Sequence, residues 1–214
     1  MNLNNISKAN KTLEPIGNKT CLWLSFVLHL RDEMTETEID KALLKIEKGL
    51  YKYCWIQEQF HKNDVTSNRE FQKAYNGFYR VRRNTAWQTV YYRLMEDAKT
   101  NGVDFRQVLL ELRKKTGRLE ASFTSKLVAT VYPERPVIDK FVLEYFGLSL
   151  PHQHETNREL KAVMVYDALT SKYMAFMSEL IASAICARFS AKYPWADITD
   201  LKKVDLVLWQ TRTT

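Results

Sequence analysis

Asp104-Phe105-Arg106-Gln107-Val108-Leu109-Leu110-Glu111-Leu112-Arg113-Lys114-Lys115-Thr116-Gly117 carries every signal of one helix from start to stop. Asp104 is a side-chain cap for the first free N–H groups, with Gln107 at the third position behind it. Phe105, Val108, Leu109 and Leu112 recur at helical steps and give one apolar side. Arg113, Lys114 and Lys115 gather at the negative end of the dipole, and Gly117 supplies the stop.

The same grammar extends in both directions. Upstream, Trp87, Val90, Tyr91, Leu94 and Ala98 keep helical spacing until Asn101-Gly102, and Asn63 to Asn68 is a polar break. Thr35 with Glu38 forms a capping box ahead of Ile39, Leu43, Ile46 and Leu50, so a helix is expected over about 36–60. Cys21 to Leu28 is apolar without a clean period and reads as a buried helix or a strand, the helix being favoured. Residues 1–20, ending in Pro15-Ile16-Gly17, read as an arm.

Downstream, 121–131 reads as a short helix broken at Tyr132-Pro133-Glu134-Arg135-Pro136. A further helix opens at Asp139, with Val142, Tyr145 and Phe146 inward before Gly147. Pro151 to Glu155 is another break, Thr156 and Glu159 form a second capping box, and a long helix or a pair of helices runs to about Lys192. Pro194 ends it, and Thr199 caps a last helix whose inward side is Leu201, Val204, Leu208 and Trp209. The expectation is an all-α fold over 21–214, either one body or two helical halves around a cleft. Only 6 Gly and 5 Pro among 214 residues leave little turn chemistry for a many-stranded alternative.

With 45% hydrophobic and 27% charged residues the chain is neither disordered nor collagenous nor a coiled-coil rod. Its length can bury roughly two thirds of the unfolded surface, so folding requires no disulfide or structural metal. Cys21, Cys54 and Cys186 make no metal-ligand or redox spacing and fit a reducing cytoplasm. The most apolar run, Cys21 to Leu30, is about half of a membrane span, so neither a membrane anchor nor secretion is expected.

The net charge of +7 is unevenly placed. Between Arg69 and Lys126 thirteen basic residues face six acids, while the rest of the chain is balanced at nineteen of each. Arg80, Arg82, Arg83, Arg113, Lys114, Lys115 and Arg118, interleaved with Phe78, Tyr79, Trp87, Tyr91 and Tyr92, suit a phosphate backbone with base stacking. A solvated helix face gives the same composition, and aromatics at helical spacing are commonly core. Arg80, Arg82 and Arg83 alternate as in a strand or an extended turn, placing Arg80 and Arg82 on one side.

Ser125-Lys126-Leu127-Val128-Ala129-Thr130 leads through Tyr132-Pro133-Glu134-Arg135-Pro136 to Val137-Ile138-Asp139-Lys140-Phe141-Val142 and Gly147-Leu148. This helix, proline loop and acid-led helix resemble the core of the helix-hairpin-helix DNA glycosylase superfamily, in a divergent bacterial branch. Phe78-Tyr79-Arg80-Val81-Arg82-Arg83-Asn84 and Asp205-Leu206-Val207-Leu208-Trp209-Gln210 add to the likeness. The resemblance implies an acid, matched by Asp139, that stabilises positive charge developing at the sugar C1′ as a base leaves. It also implies Lys126 as candidate nucleophile, with Tyr79 and Trp87 stacking on an extruded base. The family's hairpin carries two glycines; here Gly117 stands alone, and no cysteine set for an iron–sulfur cluster is present.

Plainer roles compete at each position. Asp139 opening an apolar run is also an ordinary N-cap, and Lys126 an ordinary solvated lysine. His152-Gln153-His154-Glu155 lacks the i, i+4 spacing of a zinc site and reads as a polar loop. No phosphate-binding glycine loop, dinucleotide fingerprint or nucleophile elbow occurs, so no cofactor is expected. Three functions remain open: a DNA N-glycosylase, a catalytically silent nucleic-acid-binding module, and a protein-interaction domain with a basic face. The nucleic acid is expected to be DNA rather than RNA.

Overall fold

The computed structural model describes residues 34–211, so the arm at 1–20 and the apolar run Cys21 to Leu28 lie outside the described residues. Within them the chain is all-α, with no strand, and residues from Glu36 onward belong to one unit. The helices are α1 (Glu36–Lys62), α2 (Arg69–Tyr79), α3 (Thr85–Asn101), α4 (Phe105–Thr116), α5 (Ala121–Val131), α6 (Lys140–Tyr145), α7 (Arg158–Met177), α8 (Leu180–Lys192) and α9 (Asp200–Gln210).

α1 buries Ile39, Leu43, Ile46 and Leu50 as its period requires, then continues through Tyr53, Ile56 and Phe60. Asp104 accepts from the Gln107 amide at 2.9 Å, and Gly117 closes α4 at φ +71°, a left-handed position where glycine carries no Cβ penalty. Thr199 likewise caps α9 through the Lys202 amide.

α2 is a helix to which the residue pattern assigned no element, between the polar break at Asn63 to Asn68 and the arginines that read as a strand or an extended turn. Asn68 caps it by accepting from the Phe71 amide at 2.9 Å, and Phe71, Tyr75 and Tyr79 form a buried row at four-residue steps. Its end explains the arginine string. Arg80 is left-handed at φ 55°, ψ 42°, so Arg80, Arg82 and Arg83 do not alternate across a strand. The expected capping box at Thr156 and Glu159 does not form: Asn157 takes the cap position with no side-chain bond, and Glu159 pairs with Arg113 instead. α7 and α8 are separate helices bent by 78° at Ser178-Glu179, and no single described helix is long and apolar enough to cross a membrane.

α1 to α5 enclose an aromatic core in which Phe71, Tyr75, Tyr79, Trp87, Tyr91 and Tyr92 meet in tilted, edge-to-face and stacked pairs. α9 lies across α1, α6 and α8, joining the C-terminal helices to the first. Its buried side includes Val204, Val207 and Leu208, but also Lys202 and Asp205.

Candidate nucleic-acid and base-release cleft

Lys126, on α5, and Asp139, the cap of α6, are held in register by two serine hydroxyls of α5 bonded to the Ile138 backbone. Ser125 Oγ accepts from the Ile138 amide at 2.8 Å, and Ser122 Oγ donates to the Ile138 carbonyl at 2.8 Å. Both polar groups of the Ile138 backbone therefore end on α5, which satisfies them where water is excluded. The Asp139 carboxylate accepts from the Phe141 amide at 2.9 Å and caps α6.

The two side chains line one cleft of about 490 Å³, within the ~300–1,000 Å³ of small-molecule sites. Its walls come from α1, the end of α2, α5, the lead into α6, and α9. Six cations line it, Lys45, Lys48, Lys52, Arg80, Lys126 and Lys202, against the two carboxylates Asp139 and Asp205. Phe78, Tyr79, Phe123, Phe141 and Trp209 supply its aromatic surface.

Lys126 is half-buried. Its ammonium donates to the Tyr79 carbonyl at 3.3 Å and lies 5.1 Å from the Phe123 ring centre. Burial lowers its pKa from the ordinary lysine value; the Asp139 carboxylate opposes this, and Arg80 and Lys202 add to it. Such a lysine yields a neutral amine at lower pH than a solvated one.

Lys202 and Asp205 form a buried pair in the wall at 2.6 Å, and Tyr173 donates to the other Asp205 oxygen at 2.9 Å. The Lys202 ammonium also lies 4.9 Å from the Tyr53 ring centre. Burial is the largest single influence and disfavours this charge, but Asp205 together with Tyr79 and Tyr53 outweighs it, and the pKa of Lys202 is raised. Asp205 interrupts the apolar run Val204 to Trp209, which was a legible sign of a buried acid needing a cation.

Of the residues singled out from sequence, Tyr79, Arg80, Lys126 and Asp139 meet here, while Arg82, Arg83, Arg113, Lys114, Lys115, Arg118 and Trp87 are not in its walls. Arg83 forks onto Glu120 at 2.8 and 3.1 Å and covers Phe123, tying the turn after α2 to the start of α5. Arg113 pairs with Glu159, and Lys114, Lys115 and Arg118 are exposed around the end of α4. Trp87 is 5% exposed and stacks on Tyr91 at 4.8 Å in the core, and Tyr79 is 6% exposed. At the second loop, Glu155 accepts from the His152 amide and from Lys161, each at 2.6 Å.

The cleft's positive charge thus comes largely from outside the basic segment: Lys45, Lys48 and Lys52 lie on α1 and Lys202 on α9. No known protein family, curated protein or solved structure matches this chain.

Proposed function

We propose that the chain is a DNA N-glycosylase of the helix-hairpin-helix kind, two helical halves meeting at the cleft that holds Lys126 and Asp139. The observation that carries this reading is the shared cleft: one carboxylate and one half-buried amine face a cavity with a strong excess of positive charge. Cations attract the phosphodiester, and the aromatic surface suits a nucleotide turned out of the duplex.

In this reading the C1′–N bond breaks with its electron pair leaving on the base, which takes up a proton. Asp139 stabilises the positive charge that builds on C1′ and O4′, a task for a fixed anion in a site of low dielectric. The neutral Lys126 amine forms the new C1′–N bond and loses a proton to solvent.

The test is base release from duplexes that each carry one damaged or mismatched base, with borohydride trapping of the lysine adduct. An abasic product and a trapped complex that disappears in Lys126→Gln support the reading. No release from any substrate, together with salt-sensitive DNA binding, favours the silent binding module. The α4–α5 connection favours that second reading, because Gly117 is its single glycine and closes α4.

A further inference from the structure

Lys45, Lys48 and Lys52 stand at i, i+3 and i+7 on α1 and therefore share one helical face, and all three line the cleft. Lys41, four residues before Lys45, continues the row away from it. The three cleft lysines are exposed, and among the described residues none has a carboxylate partner. Arg83 and Arg113, in contrast, are each matched to a glutamate. A row of unmatched cations along one edge of a cavity is an electrostatic rail for a polyanion.

The floor beside the row is bare. Gly49 lies on the same face, and a Cβ there would meet nothing within 4 Å. Gly77 of α2 also lines the cleft, and a Cβ there would meet only the Lys52 ammonium, at 3.6 Å. Glycine weakens a helix interior, so two glycines facing one cation row leave a shallow bed where a backbone can approach closely.

We infer that Lys45, Lys48 and Lys52 are the phosphate track of this protein, holding consecutive phosphates of the DNA strand whose nucleotide enters the cleft. Lys45 to Lys52 span roughly 10 Å along the helix, so the row sets three like charges in succession along one edge of the cleft and matches consecutive phosphates in sign. The inference rests on the glycosylase reading for the identity of the polyanion, but it assigns the contact to α1 rather than to the arginine-rich segment.

The experiment measures binding of a fluorescent duplex of about 20 base pairs between about 50 and 200 mM salt. It compares the wild type, Lys45→Gln/Lys48→Gln/Lys52→Gln, and Lys114→Gln/Lys115→Gln/Arg118→Gln, which removes the same charge from around the end of α4. Three lost phosphate contacts reduce the slope of log K against log salt by about 2 to 3, so the wild-type advantage narrows roughly 40-fold across that range. The α4 variant is expected to lose less than about 1 in slope. Gly49→Leu, which adds no charge, is expected to weaken binding at least about tenfold by filling the bed.

Equal slope losses in the two triple variants would show a net-charge effect and overturn the assignment, as would an unchanged slope in the α1 variant or undiminished binding by Gly49→Leu. Any of these leaves the glycosylase reading intact if the wild type still releases base. A wild type that binds no DNA at the lower salt removes both.

Discussion

Ile138 donates its amide to Ser125 Oγ at 2.8 Å, and this bond joins the residue before Asp139 to the residue before Lys126. The register of the candidate acid and the candidate amine is therefore fixed by a short serine side chain bonded to buried backbone. Ser122 completes the clamp at the Ile138 carbonyl, and the Arg83–Glu120 fork holds the start of the same helix.

Ser125→Ala tests the clamp. The variant strands the Ile138 N–H in a site closed to water, at a cost of about 1–3 kcal/mol. Urea unfolding is expected to show that loss with an unchanged m-value, and lysine trapping is expected to fall with it. A shift under about 0.5 kcal/mol would mean that packing alone sets the register.

The wall pair makes a different prediction. Asp205→Ala leaves the Lys202 ammonium buried without its anion and removes the acceptor of the Tyr173 hydroxyl, a loss of about 3–5 kcal/mol. Lys202→Met/Asp205→Leu removes both charges and is expected to be more stable than the single variant. Because the pKa of Lys202 is raised, its contribution is fully present at neutral pH and fades only in alkali above the ordinary lysine range. Equal urea midpoints for Asp205→Ala and wild type would contradict the pair's role.

Arg80 carries backbone strain at the cleft mouth, with φ 55° on a residue that has a Cβ. Arg80→Gly is expected to raise stability by roughly 1 kcal/mol while weakening DNA binding, since it relieves the turn but removes a cleft cation. Greater stability without weaker binding would place Arg80 outside the nucleic-acid contact.

Lys126 gives the pH dependence. Its folded pKa lies below the ordinary value of 10.5, so in the interval between the two the unfolded chain binds the extra proton and stability rises with pH. Lys126→Met is accordingly expected to stabilise the protein at neutral pH, with the gain shrinking as pH approaches 10.5. Arg80→Gln removes one charge that lowers this pKa, so the pH midpoint of lysine trapping should move upward. A downward shift would refute the electrostatic account of the amine.

Much of the helical architecture was legible because α1, α4 and α9 combine a cap with an apolar period, and α4 adds a glycine stop. α2 was hidden by Asn76, Gly77 and the arginines after it, whose turn-like composition masked the row Phe71, Tyr75 and Tyr79. Asp139 and Lys126 were singled out through resemblance and line one cleft, while the serine clamp that registers them had no local signal, because it joins positions 13 residues apart. The basic segment supplies only two of the cleft's six cations, Arg80 and Lys126. Charge counted along a chain does not report the face on which a helix displays it, and Lys45, Lys48 and Lys52 lie where acids in α1 cancel them in any linear sum.

The most direct measurement is base release by Asp139→Asn beside its DNA affinity. Asparagine caps α6 as well as aspartate does, so the variant keeps the fold and removes only the carboxylate charge. Expected is a loss of at least about 100-fold in single-turnover release, with affinity for undamaged duplex within about twofold. Release at the wild-type rate would contradict the account and leave Asp139 as a helix cap alone.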